Sequence, residues 1–203
     1  MLDLNRIFDA LVTASSEDRF EAALMETPLG SATLRSHPLG FKVARVSNGS
    51  IHLRLHLWTR AAEQPGFEVH DHSFDLKSYV VEGAIQQITF TAHEDPDGDR
   101  CVYQVAYGES RSSLRKTDIA VRLEEPRQSV FRAGTTYFLP AGQLHMAERH
   151  YCALAVSLAL THEKGGQPLT IGPRNGPSEL VAARSLLSER SLMELGLRAA
   201  LSF

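Results

Sequence analysis

Three histidines, in two short segments, are the residues best equipped for chemistry. His70 and His72 flank Asp71, and His145 closes Gly134-Thr-Thr-Tyr-Phe-Leu-Pro140-Ala-Gly142-Gln-Leu-His145, of the form G-x5-P-x-G-x2-H. At this length and composition, chance supplies the longer pattern about 0.002 times and an H-x-H roughly 0.4 times. The first is therefore signal by itself, and the second becomes signal in its company. Imidazole is the commonest metal ligand. Three neutral imidazoles leave a divalent ion with open coordination positions and no ligand charge to offset it. On zinc, such a site lowers the pKa of bound water. On ferrous iron, it leaves room for substrate and dioxygen together. Imidazole also suits copper and nickel, so ligand type alone does not choose the metal.

Strands and turns must hold these side chains. His70 and His72 are two apart, which on a strand puts both rings on one face. Gly134 fits a tight turn, Thr135 to Leu139 is β-branched and aromatic, and Pro140 with Gly142 ends that run, leaving His145 to begin the next strand. Ile51-His-Leu-Arg-Leu-His-Leu-Trp58 alternates without a break, and Ala84 to Thr91, Cys101 to Tyr107, Ile119 to Leu123 and Tyr151 to Leu160 read as further strands. Glu94-Asp-Pro-Asp-Gly-Asp99 reads as a hairpin turn. Residues 3 to 25 carry Ile7, Leu11, Phe20, Ala23 and Leu24 at helical spacing, with a fresh N-cap expected at Ser15-Ser16-Glu17-Asp18. Pro177 to Leu201 also reads as helical, with Leu180, Leu186, Leu187, Leu192, Leu195 and Leu197 available for packing. A single domain follows: an N-terminal helical segment (1–35), a β-barrel (40–162) and a C-terminal helical segment (176–203) that covers a barrel face or forms a homodimer contact.

The two segments resemble the paired motifs of the cupin superfamily, H-x-H-x3,4-E-x6-G and G-x5-P-x-G-x2-H. Ten residues separate His72 from Gly83, as that pattern requires, and the resemblance spans roughly residues 50 to 160. It implies an all-β core, a double-stranded β-helix or jelly-roll barrel with helices at both ends, and a metal held by His70, His72 and His145. One position departs: the family's glutamate ligand falls at Leu76. The neighbouring Asp75 would reach the metal, directly or from behind its ligands, only across a β-bulge, since alternation turns it to the other face. Within the superfamily a three-histidine site is most similar to the thiol dioxygenases, which use Fe(II), although Zn, Ni and Mn also fit the ligand set. Their Ser-His-Tyr relay falls here on Ser157, Ala159 and Thr161, so two of its three members are missing, as is their crosslinking cysteine. The metal triad carries over; the substrate does not.

Strand 51–58 offers a substrate wall. If its polar face, rather than its leucine face, lines the barrel, Arg54 can grip a carboxylate through its bidentate fork, beside His56 and Trp58. Ser78 shares the His70/His72 face by alternation, and Lys77 and Tyr79 point away. His37, His93, His150 and His162 have no spacing argument and read as turn or surface residues. Cys101 and Cys152 read as small core residues.

A net charge of −3 over 203 residues gives no basic field for nucleic acid or an anionic membrane. No apolar run approaches the ~18 residues that cross a bilayer. The N-terminus lacks a secretory pattern, and two distant cysteines make no disulfide framework, so a cytoplasmic protein is expected. The reading is an Fe(II) cupin oxygenase acting with dioxygen on a small polar thiol, amine or amino acid. The alternatives are a non-catalytic small-molecule sensor and a sugar isomerase or epimerase of the same fold.

Overall fold

Which way the leucines of residues 51–58 face decides how the molecule is layered. The computed structural model describes residues 2–59, 65–108, 111–192 and 197. It begins with two helices, α1 (Leu4–Ser16) and α2 (Phe20–Met25). Strands β1 (Thr33–Ser36), β2 (Phe41–Asn48), β3 (Ile51–Trp58), β4 (Val69–His70), β5 (Phe74–Glu82), β6 (Ala84–Glu94) and β7 (Arg100–Tyr107) follow. The long β8 (Arg111–Arg132) leads to β9 (Thr136–Leu139), β10 (His145–Arg149), β11 (Ala155–Glu163), β12 (Leu169–Pro173), β13 (Glu179–Ala183) and β14 (Leu186–Ser191).

These strands form two antiparallel sheets. The first has the order β14-β1-β2-β3-β11-β5-β9, and the second β13-β8-β6-β10-β4-β12-β7, with β8 also pairing β7. The all-β core is as the sequence implies. Leu53, Leu55 and Leu57 project from the outer face of the first sheet into a core shared with Leu4, Phe8 and Leu11 of α1, Phe20 and Leu24 of α2, and Tyr79, Val156, Leu158 and Leu160. The helices therefore cover that face, and alternation sends Arg54, His56 and Trp58 the other way, into the space between the sheets. Lys77 sits on the helix side, paired with Asp9 at 3.3 Å, and Tyr79 is buried there, as expected.

Several elements differ from their sequence reading. The C-terminal helical segment is not helical over Glu179–Ala183 and Leu186–Ser191: β13 extends the second sheet along β8 and β14 extends the first along β1. Edge strands with unfilled hydrogen-bonding positions recruited this segment, overriding its leucine spacing. Leu192 and Leu197 are buried against the helices; Leu195 lies outside the described residues. The 94–99 turn exists, with Gly98 N–H donating to the Asp95 carbonyl at 2.8 Å, but it makes no hairpin. The strands it joins, β6 and β7, both pair with β8 instead, meeting at Val121. Residues 15–18 close α1 instead of capping α2; the N-cap is Asp3, whose side chain accepts from Arg6 N–H. Strand pairing also reaches beyond 40–162, through β1 and β12. The last strand of the barrel reading begins at Ala155, since residues 151–154 are irregular. None of the helices described is long and apolar enough to cross a membrane.

Candidate metal centre

The G-x5-P-x-G-x2-H segment folds as its residue types dictate. Gly142 has a φ of 77°, and Pro140 and Gly142 turn the chain from β9 into β10. The turn is tied to the first histidine pair: Gly142 N–H donates to the His72 carbonyl at 2.9 Å. His145, first in β10, sits directly opposite His70 of β4. The expectation that His70 and His72 share a strand is corrected, because β4 ends at His70 and His72 lies in the connection to β5. Asp71 between them fixes the bend, its carboxylate accepting from Leu169 N–H at 2.7 Å.

The three rings nonetheless converge. Centroid separations are 4.4 Å for His70–His145, 4.8 Å for His70–His72 and 5.0 Å for His72–His145. One nitrogen from each ring lies within 4.8 Å of the others. His70 Nδ1–H donates to the Glu68 carbonyl at 2.7 Å, and His145 Nδ1–H to the Gln143 carbonyl at 3.1 Å. Both rings are thereby held in the tautomer that leaves Nε2 as a ligand. His72 stacks on Phe74 at 4.3 Å, and its buried Nδ1 has no partner. It is the one ring not pinned by a hydrogen bond, so it can adjust to metal–nitrogen bonds of about 2.0–2.1 Å. Burial pushes all three pKa values down, that of His145 to about 3, so the imidazoles are neutral at pH 7, as ligation requires. The donor set fits a divalent ion.

Asp75 does not belong to it. No bulge turns its side chain inward; Oδ1 accepts from Ala141 N–H at 2.9 Å and Oδ2 pairs with Lys164 at 3.1 Å. Those partners hold the carboxylate below its usual pKa. Its contribution is to the turn that presents His145. Leu76, in the glutamate slot, is buried with Phe74, Leu139 and Ala159.

A cavity of about 740 Å³ opens over the histidines. Arg54, His56, Trp58 and Ser78 all line it, the positions expected from alternation. Arg54 lies with its guanidinium 4.5 Å over the Phe74 ring. Burial, and then Arg45, lower its pKa to about 10, so it remains cationic. His56 is buried, with its pKa lowered by burial and Arg54 to about 3, and packs at 4.8 Å on Phe41. Trp58 Nε1–H donates to Ser157 Oγ at 3.0 Å. Ala159 and Thr161 are fully buried, with Ala159 between Arg54 and Ser78 in register.

No family model matches the chain, and no curated protein matches it in sequence. Several solved structures align with part of it. One is the hydroxypropylphosphonic acid epoxidase from S. wedmorenis, at 9% identity and a TM-score of 0.40, covering 67% of this chain and 57% of the epoxidase. A structure from the DMSP lyases RdDddP and RnDddQII aligns at 14% identity and TM-score 0.41, over 80% and 75% of the two chains. Bacillus subtilis oxalate decarboxylase aligns at 15% identity and TM-score 0.39, over 73% of this chain and 31% of its own.

Residues that line the cavity without being singled out from the sequence include His37, Gln87, Tyr107, Tyr137 and Arg184, with Arg35, Arg45 and Glu163. Alternation within β6 and β9 carried the signal for Gln87 and Tyr137. His37 opens a turn, as its place before Pro38 indicates, Gly40 N–H donating to its carbonyl at 2.9 Å, and its ring also stacks on Phe41 at 4.1 Å and meets Arg184 at 3.3 Å. Arg184 was hidden by the helical reading of its segment.

Proposed function

We propose that this chain is a metal-dependent cupin enzyme, a jelly-roll barrel that holds Fe(II) on His70, His72 and His145 and oxidises a small polar substrate with dioxygen. The observation that carries this reading is the convergence of three neutral imidazoles at an open cavity that also holds Arg54. Iron, when bound, supplies the one-electron chemistry that dioxygen needs; Zn, Ni or Mn would occupy the same ligands. The protein's own residues bind and orient. Arg54 grips an acidic group of a thiol, amine or amino acid. His56 and Trp58 wall the pocket beside it, and Ser78 lies on the same wall, in Arg54's register row across Ala159. Leu76 gives that part of the wall an apolar surface in place of a carboxylate, so the residues that would hold the ion are the three neutral imidazoles.

An open cavity, unlike a packed interior, supports catalysis over a non-catalytic sensor. A sugar isomerase would not need three converging histidines. Anaerobic loading with ferrous salt should give about one iron per chain, and air should then be consumed with a small thiol, amine or amino acid. Absence of bound metal at pH 7 would sink the proposal.

A further inference from the structure

The cavity's charge is lopsided. Among the described residues, Arg35, Arg45, Arg54 and Arg184 line it against a single carboxylate, Glu163. That carboxylate is already engaged, by His52 at 3.2 Å and by the Ser73 hydroxyl at 3.2 Å. Arg35 and Arg45 are exposed at the mouth, and Arg45 Nε–H donates to Ser47 Oγ at 3.0 Å. The two inner arginines differ from these. Arg54 comes from the middle of the first sheet, and its buried Nε–H has no hydrogen-bond partner. Arg184 comes from the β13–β14 connection, held by His37 Nε2 at 3.3 Å and with its guanidinium 4.8 Å over the Tyr107 ring; its buried Nε–H is also unpartnered. Among the described residues neither arginine forms an ion pair.

Buried guanidinium donors without acceptors are expensive, and a folded protein normally answers each with an anion. Here the neutral histidines add no negative charge, and among the described wall residues the one carboxylate, Glu163, is already engaged by His52 and Ser73. We infer that the substrate carries two negative charges and is gripped between Arg54 and Arg184. The ligand class is a small organic dianion, with its charges either on two carboxylates or together on one phosphonate. This rests on the cavity being the substrate pocket of the proposed enzyme, but not on which metal is bound or on whether one is.

The chain has one tryptophan, Trp58, and it lines this cavity, so binding has a built-in reporter. The test uses full-length protein stripped of metal and dialysed free of chelator, titrated at about pH 9, where a propylphosphonate is doubly charged and Arg54 still cationic, with butyrate, glutarate and propylphosphonate while Trp58 fluorescence is read. At least one dianion should bind fivefold or more tighter than butyrate, and which one does so tells separated charges from paired ones. Arg184→Gln should bring that preference below twofold. A wild-type preference under fivefold for both dianions, or an unchanged preference in Arg184→Gln, would overturn the inference. Iron stoichiometry measured on the same preparation tests the proposed function separately: protein that takes no iron but prefers dianions keeps this inference and loses that one. The wild-type panel is decisive even if the variant fails to fold.

Discussion

The two sheets divide the site's labour. The second sheet and its turns supply His70 and His145, whose rings are fixed by backbone carbonyls and a register pair, while His72, just beyond β4, rests on the Phe74 ring. The first sheet supplies Arg54, His56, Trp58 and Ser78, all positioned by side-chain alternation against a leucine core. On the proposed reading, one region would hold an ion by converging imidazoles and the other a substrate by charge and shape. Metal affinity and substrate affinity should therefore respond to different substitutions.

The largest expected effect is on the second sheet. His145→Ala should lower metal affinity by more than the roughly 10–100-fold that loss of an outer-shell partner causes, read by metal content after dialysis. If Arg54→Ala lowered it equally, the division between sheets would be broken. Next, Leu55→Ala, on the helix-facing side of β3, should destabilise the fold by about 2–5 kcal/mol in denaturant unfolding, while folded protein keeps its metal stoichiometry. Arg54→Lys retains charge but loses the planar fork. It should weaken an anionic ligand by about 1.5–3 kcal/mol at unchanged metal content; equal affinity would mean that Arg54 grips nothing.

A pH experiment sharpens the same contrast. His56 in the folded chain has its pKa depressed to about 3, whereas an unfolded histidine titrates near 6.5. Between those values the unfolded state binds the extra proton, so stability is fully present above pH ~6.5 and is lost as pH falls towards ~3. In metal-free protein, His56→Phe should reduce that slope by up to about 1.4 kcal/mol per pH unit. An unchanged slope would mean His56 is not buried as a neutral ring. The smallest effect is expected from Ser157→Ala, which removes the Trp58 hydrogen bond, costs about 0.5–1.5 kcal/mol and shifts Trp58 emission. Identical emission would place the indole elsewhere.

What the sequence made legible follows the same line. Strand β3 has the bounds its alternation indicates, and with them came Arg54, His56 and Trp58, because a period of two needs no partner to be read. The turn glycines and Pro140 placed His145 for similar reasons: their constraints are local. His72 converges by a different means from the strand its spacing indicates: β4 stops at His70, and a bend brings the ring to the other two. Arg184 and His37 were not legible, because what brings them together is long-range pairing of β14 with β1. Leucines spaced for a helix gave no sign of that pairing, and tertiary hydrogen bonding outweighed them. Asp75 was correctly expected to need a bulge, and there is none.

The hydrogen bond from Gly142 to the His72 carbonyl, with Asp75 on the adjacent Ala141, has a kinetic meaning. It joins the two ligand-bearing segments before any ion arrives, so the empty site has little chain left to order. Ion capture should then be a single bimolecular phase, first order in metal, paced by water leaving the cation. The slow, concentration-independent phase typical of a site that must fold around its metal should be missing.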